Sequence, residues 1–329
     1  MAFTEELTFS DLKQEPLMAS LIPYFLSKRK QGLVETAPQA KLKDHILDAF
    51  NMKEIADGFN YLVELQKKGV PVLQHFYSQE ECQADPTREG TGLFWFPAKA
   101  PGPFLLLCPG GGYDVVEAMV EGFPVAKALN QMGINVFSLK YRVGMPGAAK
   151  LADEDLAAAI RHILAHRDFY HVTEDYALMG FSAGGHLVCG FGTENRGYGP
   201  AGLPKPQMIG ACYAVVFPSP GEDPQRRRDW ARKMTGDGDV EQALSDYAPL
   251  LHVGPGFPPA YIWHTLEDAV VSPDNARQLA ARLEELGIPY RLNLVPTGPH
   301  GLGLGTGTDA EGWLPDAVAF WNSLRESSR

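Results

Sequence analysis

The chain has 329 residues, of which 45% are hydrophobic and 21% charged, with 40 acidic against 29 basic side chains and a formal net charge of -11. Such proportions suit one large α/β domain with additions, and the negative balance argues against nucleic acid or an anionic membrane as partner, because each needs concentrated positive surface. No apolar run is long enough to cross a bilayer, and the acidic start Met1-Ala-Phe-Thr-Glu-Glu differs from the basic start of a signal peptide, so a cytoplasmic location is the expectation.

Residues 1 to 70 mix charged and apolar side chains at helical spacing. Met52 to Lys68 places Ile55, Phe59, Leu62, Val63 and Leu65 on one stripe, which predicts an amphipathic helix, and Leu21 to Leu26 begins or joins another. The region is expected to be a helical extension packed on the main domain and bordering its site, or else a peripheral arm that stabilises or supports a homo-oligomer.

From Val72 the rhythm changes. Val72 to Tyr77, Gly92 to Phe96 and Phe104 to Cys108 are apolar runs separated by Pro and Gly clusters, as strands of one sheet would be. Strands and helices then alternate. Ile134 to Tyr141 follows a helix near Pro124 to Met132, and Tyr176 to Phe181 follows one near Asp153 to His166. Strands Met208 to Phe217, Ala260 to His264 and Tyr290 to Val295 complete the series, with helices near Asn275 to Leu286 and Pro315 to Leu324. The alternation predicts an α/β fold, a mainly parallel, doubly wound sheet with helices on both faces across residues 71–329. The polar stretch Ser219 to Pro259 interrupts it at a strand's C-terminal end, where an insertion would overhang the site as a lid or form an inert excursion. Arg226-Arg227-Arg228 is read as a solvated helix face, and Cys82, Cys108, Cys189 and Cys212 are too scattered for a metal or redox pair.

The most informative stretch is Tyr176-Ala-Leu-Met-Gly180-Phe-Ser182-Ala-Gly184-Gly185-His186. It reads as strand, tight turn and helix with Ser182 at the apex, a G-x-S-x-G nucleophile elbow. The turn pushes the serine toward positive φ, which small neighbours tolerate, and it lifts the hydroxyl clear while the Ala183 N–H opens the helix. A serine nucleophile needs a base and an acid that orients it. Asp268 follows the strand ending at His264, and His300 follows the next strand in Pro-Thr-Gly-Pro-His-Gly, so both fall at the sheet edge that carries Ser182. His162, His166 and His171 are expected near a solvated helix, His186 beneath the elbow, and His264 inside a strand. That leaves His300 as the base. Glu267 adjoins Asp268, and the two side chains should diverge. Gly111 and Gly112, in Pro109-Gly110-Gly111-Gly112-Tyr113, are the expected oxyanion donors alongside Ala183, with Tyr113 the expected substrate contact. Gly301-Leu-Gly303-Leu-Gly305-Thr-Gly307 lacks the G-x-G-x-x-G spacing, and no phosphate loop is found, so neither a nucleotide nor any other cofactor is expected, nor a metal.

With those motifs in place, and with Glu121-Gly-Phe-Pro and Leu139-Lys-Tyr-Arg-Val143, the chain from about Val72 resembles the α/β-hydrolase superfamily, and within it the esterases that include bacterial carbohydrate acetyl esterases and feruloyl esterases. The resemblance implies a cofactor-free serine carboxylesterase acting on small O-acyl esters, with acetylated or feruloylated sugars or oligosaccharides as substrates. It also singles out Asp268, followed by Ala269 and Val270, as the acid. The sequence departs from many such esterases in having Pro109 where they have His. A serine peptidase or formamidase-like amidase would use the same residues, and a non-catalytic binding protein would keep only the fold.

Overall fold

The computed structural model describes residues 2–217 and 223–327. Its centre is an eight-stranded sheet, with strands β1 (Leu73–Gln74), β2 (Gly92–Phe96), β3 (Gly102–Cys108), β4 (Asn135–Lys140), β5 (Val172–Phe181), β6 (Ile209–Cys212), β7 (Ala260–Thr265) and β8 (Tyr290–Val295) in spatial order β1-β2-β4-β3-β5-β6-β7-β8. The β1–β2 and β2–β4 pairs are antiparallel and all the others are parallel. Leu105, Leu106 and Leu107 of β3 and Ala177, Leu178 and Met179 of β5 are fully buried, as expected where helices cover both faces. Helices Phe123–Gln131, Ala148–Ala165, Ala183–Phe191, Asp274–Glu285 and Trp313–Ser327 supply that cover.

Two strands are shorter than their apolar runs suggested. β1 pairs with β2 through only two residues before Ser78 caps the short helix Gln79–Ala84. β6 stops at Cys212 because Tyr213 takes φ 37°, which turns the chain out of the sheet. The following segment is instead held from the side, with the N–H groups of Val216 and Phe217 donating to Asn275 Oδ1 at 2.9 and 3.0 Å.

The N-terminal extension forms helices Phe9–Gln14, Pro16–Phe25, Lys28–Thr36 and Met52–Lys67. Asn51 caps the last of these by accepting from the N–H groups of Lys53 and Glu54, and its buried stripe includes Ile55, Phe59, Leu62 and Val63. The Phe59 ring lies 5.2 Å from Phe25 and 6.1 Å from Phe123, and the Tyr61 hydroxyl donates to Asn130 Oδ1 at 2.6 Å. The extension therefore shares one hydrophobic core with the sheet domain. Its Glu54 also accepts from Thr306 N–H at 3.2 Å, six residues after His300.

Of the insertion, Ser219 to Glu222 lie outside the described residues. The remainder forms helices Pro224–Thr235, Val240–Asp246 and Pro249–His252. Arg226 and Arg228 are exposed on the first of them, whose Lys233 reaches back to Gly112 O at 3.2 Å and Asp114 Oδ2 at 2.6 Å.

Candidate active site

β5 delivers Ser182 at its C-terminal end with φ 51° and ψ -117°. The Ser182 N–H donates to Cys212 O at 3.0 Å, and its carbonyl accepts from His186 N–H at 3.0 Å, so the strained residue is fixed by the neighbouring strand and by the helix it opens. Close approach explains the flanking glycines. A Cβ on Gly180 would lie 2.1 Å from Gly184 O, and one on Gly184 would lie 1.9 Å from Cys108 O, so the helix start can press on the sheet only without side chains.

His300 Nε2 is 2.9 Å from Ser182 Oγ, and His300 Nδ1 is 2.6 Å from Asp268 Oδ2. Asp268 Oδ1 accepts the N–H groups of Val270 and Val271, both at 2.8 Å, while Oδ2 also meets His264 Nε2 at 3.0 Å. Burial works to raise the pKa of this carboxyl, but hydrogen bonds from His264 and His300 and the charge of His300 outweigh it. Asp268 is thereby held below the ordinary carboxylate range. Glu267, by contrast, is exposed and accepts from Gly298 N–H at 3.0 Å, away from both ring nitrogens of His300.

The other histidines sort themselves by their partners. Both groups facing His264 Nε2 are acceptors, Asp268 Oδ2 and Val271 O, so His264 carries its proton there and supports the acid rather than the serine. His186 donates from Nε2 to Tyr247 O at 2.7 Å and accepts at Nδ1 from the Tyr113 hydroxyl at 2.7 Å. Burial pushes it down to about 4, and it stays neutral. His162 is half-buried against Tyr170 rather than solvated. Among the described residues His300 alone reaches Ser182.

After β3 the glycine run lies against the elbow, since a Cβ on Gly110 would come within 2.8 Å of Ser182 Cβ. Gly111 and Gly112 take φ 119° and 64°. The N–H groups of Gly111, Gly112 and Ala183 have no acceptor among the described residues; Ala183 follows the serine directly, and the two glycines continue the loop whose Gly110 lies against it. Tyr113 does not serve as the expected substrate contact. Its side chain is 1% exposed, and its hydroxyl is spent on His186, because φ 61° at this residue turns the ring into the core beneath the loop.

Sequence reasoning assigned no role to Glu121. It sits in a single π-helical turn, Ala118–Gly122, with its carboxyl buried under the glycine run. Oε2 accepts from Gly110 N–H at 2.6 Å and Oε1 from the Tyr213 hydroxyl at 2.8 Å. Tyr213 in turn accepts from Gly303 N–H at 3.3 Å, and its ring packs edge-on to the His300 ring with centroids 5.0 Å apart. One carboxyl thus ties the glycine loop to the loop that carries the base. Burial raises it to about 7 against the pull of its two donors. The available signal was an acid inside the apolar run Ala118-Met119-Val120-Glu121-Gly122-Phe123. The glycines after His300 have a structural reading too, for Gly301, Gly303, Gly305 and Gly307 all take positive φ in a tightly turned loop packed on Val120.

The arrangement is a hydroxyl hydrogen-bonded to an imidazole, the imidazole oriented by a buried carboxylate, and free N–H donors alongside. It can deliver a nucleophile to an acyl carbon and hold the oxyanion that forms. Among the described residues no group of three or more His, Cys, Asp or Glu is placed to hold a metal ion, and no helix is long and apolar enough to cross a membrane.

Comparison with known proteins agrees with this geometry. The BD-FAE family matches residues 96–199, which include the glycine run and the elbow. Endo-1,4-beta-xylanase B of Butyrivibrio fibrisolvens is 29% identical over 233 residues, covering 67% of this chain and 36% of that protein. Acetylxylan esterase of Xylanibacter ruminicola is 24% identical over 227 residues, covering 64% of this chain and 43% of that protein. The chain thus spans well under half the length of these two relatives. Among solved structures, an acetyl ester-xyloside bifunctional hydrolase of Caldicellulosiruptor lactoaceticus superposes with a TM-score of 0.60 at 25% identity, over 78% of this chain and 95% of that one. The fold is the α/β-hydrolase fold, and the sequence is similar to carbohydrate and acetyl esterases built on it.

Proposed function

We propose that this α/β-hydrolase is a serine carboxylesterase that removes small acyl groups from sugars or oligosaccharides. The observation that carries the reading is the continuous line from Asp268 through His300 to Ser182, ending beside unengaged N–H donors. Ser182 Oγ attacks the acyl carbon while its proton passes to His300 Nε2. The oxyanion is held by the N–H groups of Gly111 or Gly112 and of Ala183. His300 then protonates the departing alcohol oxygen, which leaves the acyl group on Ser182. A water deprotonated by His300 attacks that ester, the carboxylic acid leaves, and the proton returns to Ser182. Asp268 stays ionised throughout, holding the imidazole and stabilising its cationic form.

Sugar esters are favoured over other alcohols by the acetylxylan and acetyl ester-xyloside names of similar proteins. The test is a panel of acetyl, butyryl, feruloyl and peptide substrates with the wild type and Ser182→Ala, together with fluorophosphonate labelling. Acetyl sugars should be the best substrates, the label should fall on Ser182, and Ser182→Ala should lose roughly 10³-fold or more in kcat. Near wild-type turnover by a clean Ser182→Ala preparation would falsify the reading, and faster cleavage of amides than of matched esters would move it to an amidase.

A further inference from the structure

The N-terminal extension does more than add core. Residues 23–29 and Gln31 line a groove of about 730 Å³ together with residues 114–116 and 140–145. Asp114 and Val115 both donate their N–H groups to Gly111 O, at 3.0 and 3.2 Å, so the wall of the groove is the direct continuation of the oxyanion loop. The groove is therefore walled by residues that follow Gly111 and Gly112 closely in the chain.

Its charge runs against that of the whole chain. Lys28 and Arg29, exposed at the start of helix Lys28–Thr36, and Lys140, at the end of β4, all line it. None of the three has a hydrogen bond or ion pair among the described residues. The one carboxylate that lines the groove, Asp114, is already paired with Lys233 at 2.6 Å. The neighbouring Arg142 behaves in the opposite way, neutralised by Asp85, Glu154 and Asp155. Burial also pushes Lys140 down to about 8 against the pull of the Asp155 carboxylate, which makes no direct contact with it, so its ammonium has lost water without gaining a hydrogen-bonded partner. A cation in that condition is stabilised by any anion that enters beside it.

We infer that this groove receives the acidic part of the substrate: the chain's ester is an O-acylated oligosaccharide that carries a uronate carboxylate, bound against Lys140, Lys28 and Arg29 while the acyl group lies at Ser182. The inference rests on the esterase reading. A single carboxylate on an otherwise neutral sugar fits the groove and the chain's net charge of -11 together, since a polyanion would be repelled by the rest of the surface.

The test uses a matched pair, an acetylated xylo-oligosaccharide with one glucuronic acid branch and its neutral counterpart. The wild type should favour the acidic member by roughly tenfold in kcat/KM, expressed in KM, as expected for a charge recognised at a partly desolvated site. Lys140→Met, and separately the double variant Lys28→Ala with Arg29→Ala, should bring the acidic-to-neutral ratio toward one. The double change is on an exposed helix start, so it probes the groove even if Lys140→Met fails to fold. Calorimetric titration of the deacetylated acidic and neutral oligosaccharides into Ser182→Ala reads the groove without chemistry, and tighter binding of the acidic one is expected. Equal binding of the two, or equal wild-type kcat/KM on the two esters, overturns the groove, as does a pair of variants that leave the ratio unmoved. Failure to hydrolyse any ester, with no labelling of Ser182, instead overturns the esterase reading, and the calorimetry still decides the groove.

Discussion

Glu121 gives the sharpest quantitative prediction, because its carboxyl is buried and its partners are known. Replaced by Gln, the side chain keeps its shape: the amide oxygen can accept from Gly110 N–H and the amide nitrogen can donate to the Tyr213 hydroxyl, where the carboxylate accepted at both ends. What the variant loses is titration. In the wild type the folded carboxyl titrates at about 7, against an ordinary value of 4.5, so the native state binds the proton more tightly than the unfolded chain. The stability contributed by this proton is full below pH 4.5 and is lost as pH rises through about 7. At 1.36 kcal/mol per pH unit the whole effect is about 3.4 kcal/mol, of which about 2.5 kcal/mol falls between pH 5 and 8. Urea unfolding of wild type and Glu121→Gln at those two pH values isolates it, since every other titrating group is shared. The difference in unfolding free energy between the two proteins should move by about 2.5 kcal/mol in favour of the wild type as the pH falls from 8 to 5. A difference that stays constant to within about 0.5 kcal/mol would show that Glu121 is ionised throughout and that burial does not control it.

Asp268→Asn should lower kcat by about 10²- to 10⁴-fold in ester hydrolysis at fixed pH, whereas Glu267→Gln, which touches only Gly298 N–H, should change it little; the reverse ranking would transfer the acid role to Glu267. Chelation with EDTA should leave the rate unchanged, because every proposed step is carried by side chains and backbone N–H groups, and a loss restored by a divalent ion would reveal a metal requirement.

The central sheet was legible because β3, β5 and β7 are apolar on both faces and are each followed by a turn or loop that chemistry marks: the glycine run, the elbow and the acid loop. The edges were less legible. The run from Met208 to Phe217 is apolar throughout, yet only Ile209–Cys212 is strand, because burial of Ala214, Val215 and Val216 comes from packing beyond the turn at Tyr213. Apolarity reports burial and is silent about which partner does the burying. Tyr113 fails for a related reason: its place next to Gly111 and Gly112 was readable, but the direction of its ring depends on its own positive φ, which the sequence does not signal. Glu121 was hidden because its partners are a backbone N–H eleven residues away and a hydroxyl 92 residues away.

The loops that make the site contain three non-glycine residues held in conformations that would not persist alone, with positive φ at Tyr113, Ser182 and Tyr213. Each must be over-determined by contacts from elsewhere, and the structure shows where those come from. The insertion reaches the glycine run twice, through Lys233 to Gly112 O and through Tyr247 O to His186 and on to Tyr113. The N-terminal extension reaches the base loop through Glu54 at Thr306 and places Phe50 against Gly301, where an added Cβ would lie 3.3 Å from its ring. The two segments that lie outside the sheet therefore brace different parts of the site, the glycine run in one case and the His300 loop in the other. Glu121 and Tyr213 join these two parts from beneath. Changes of length or sequence in either segment should then act on turnover as well as on substrate choice, because both segments also support the glycine run and the loop that carries His300.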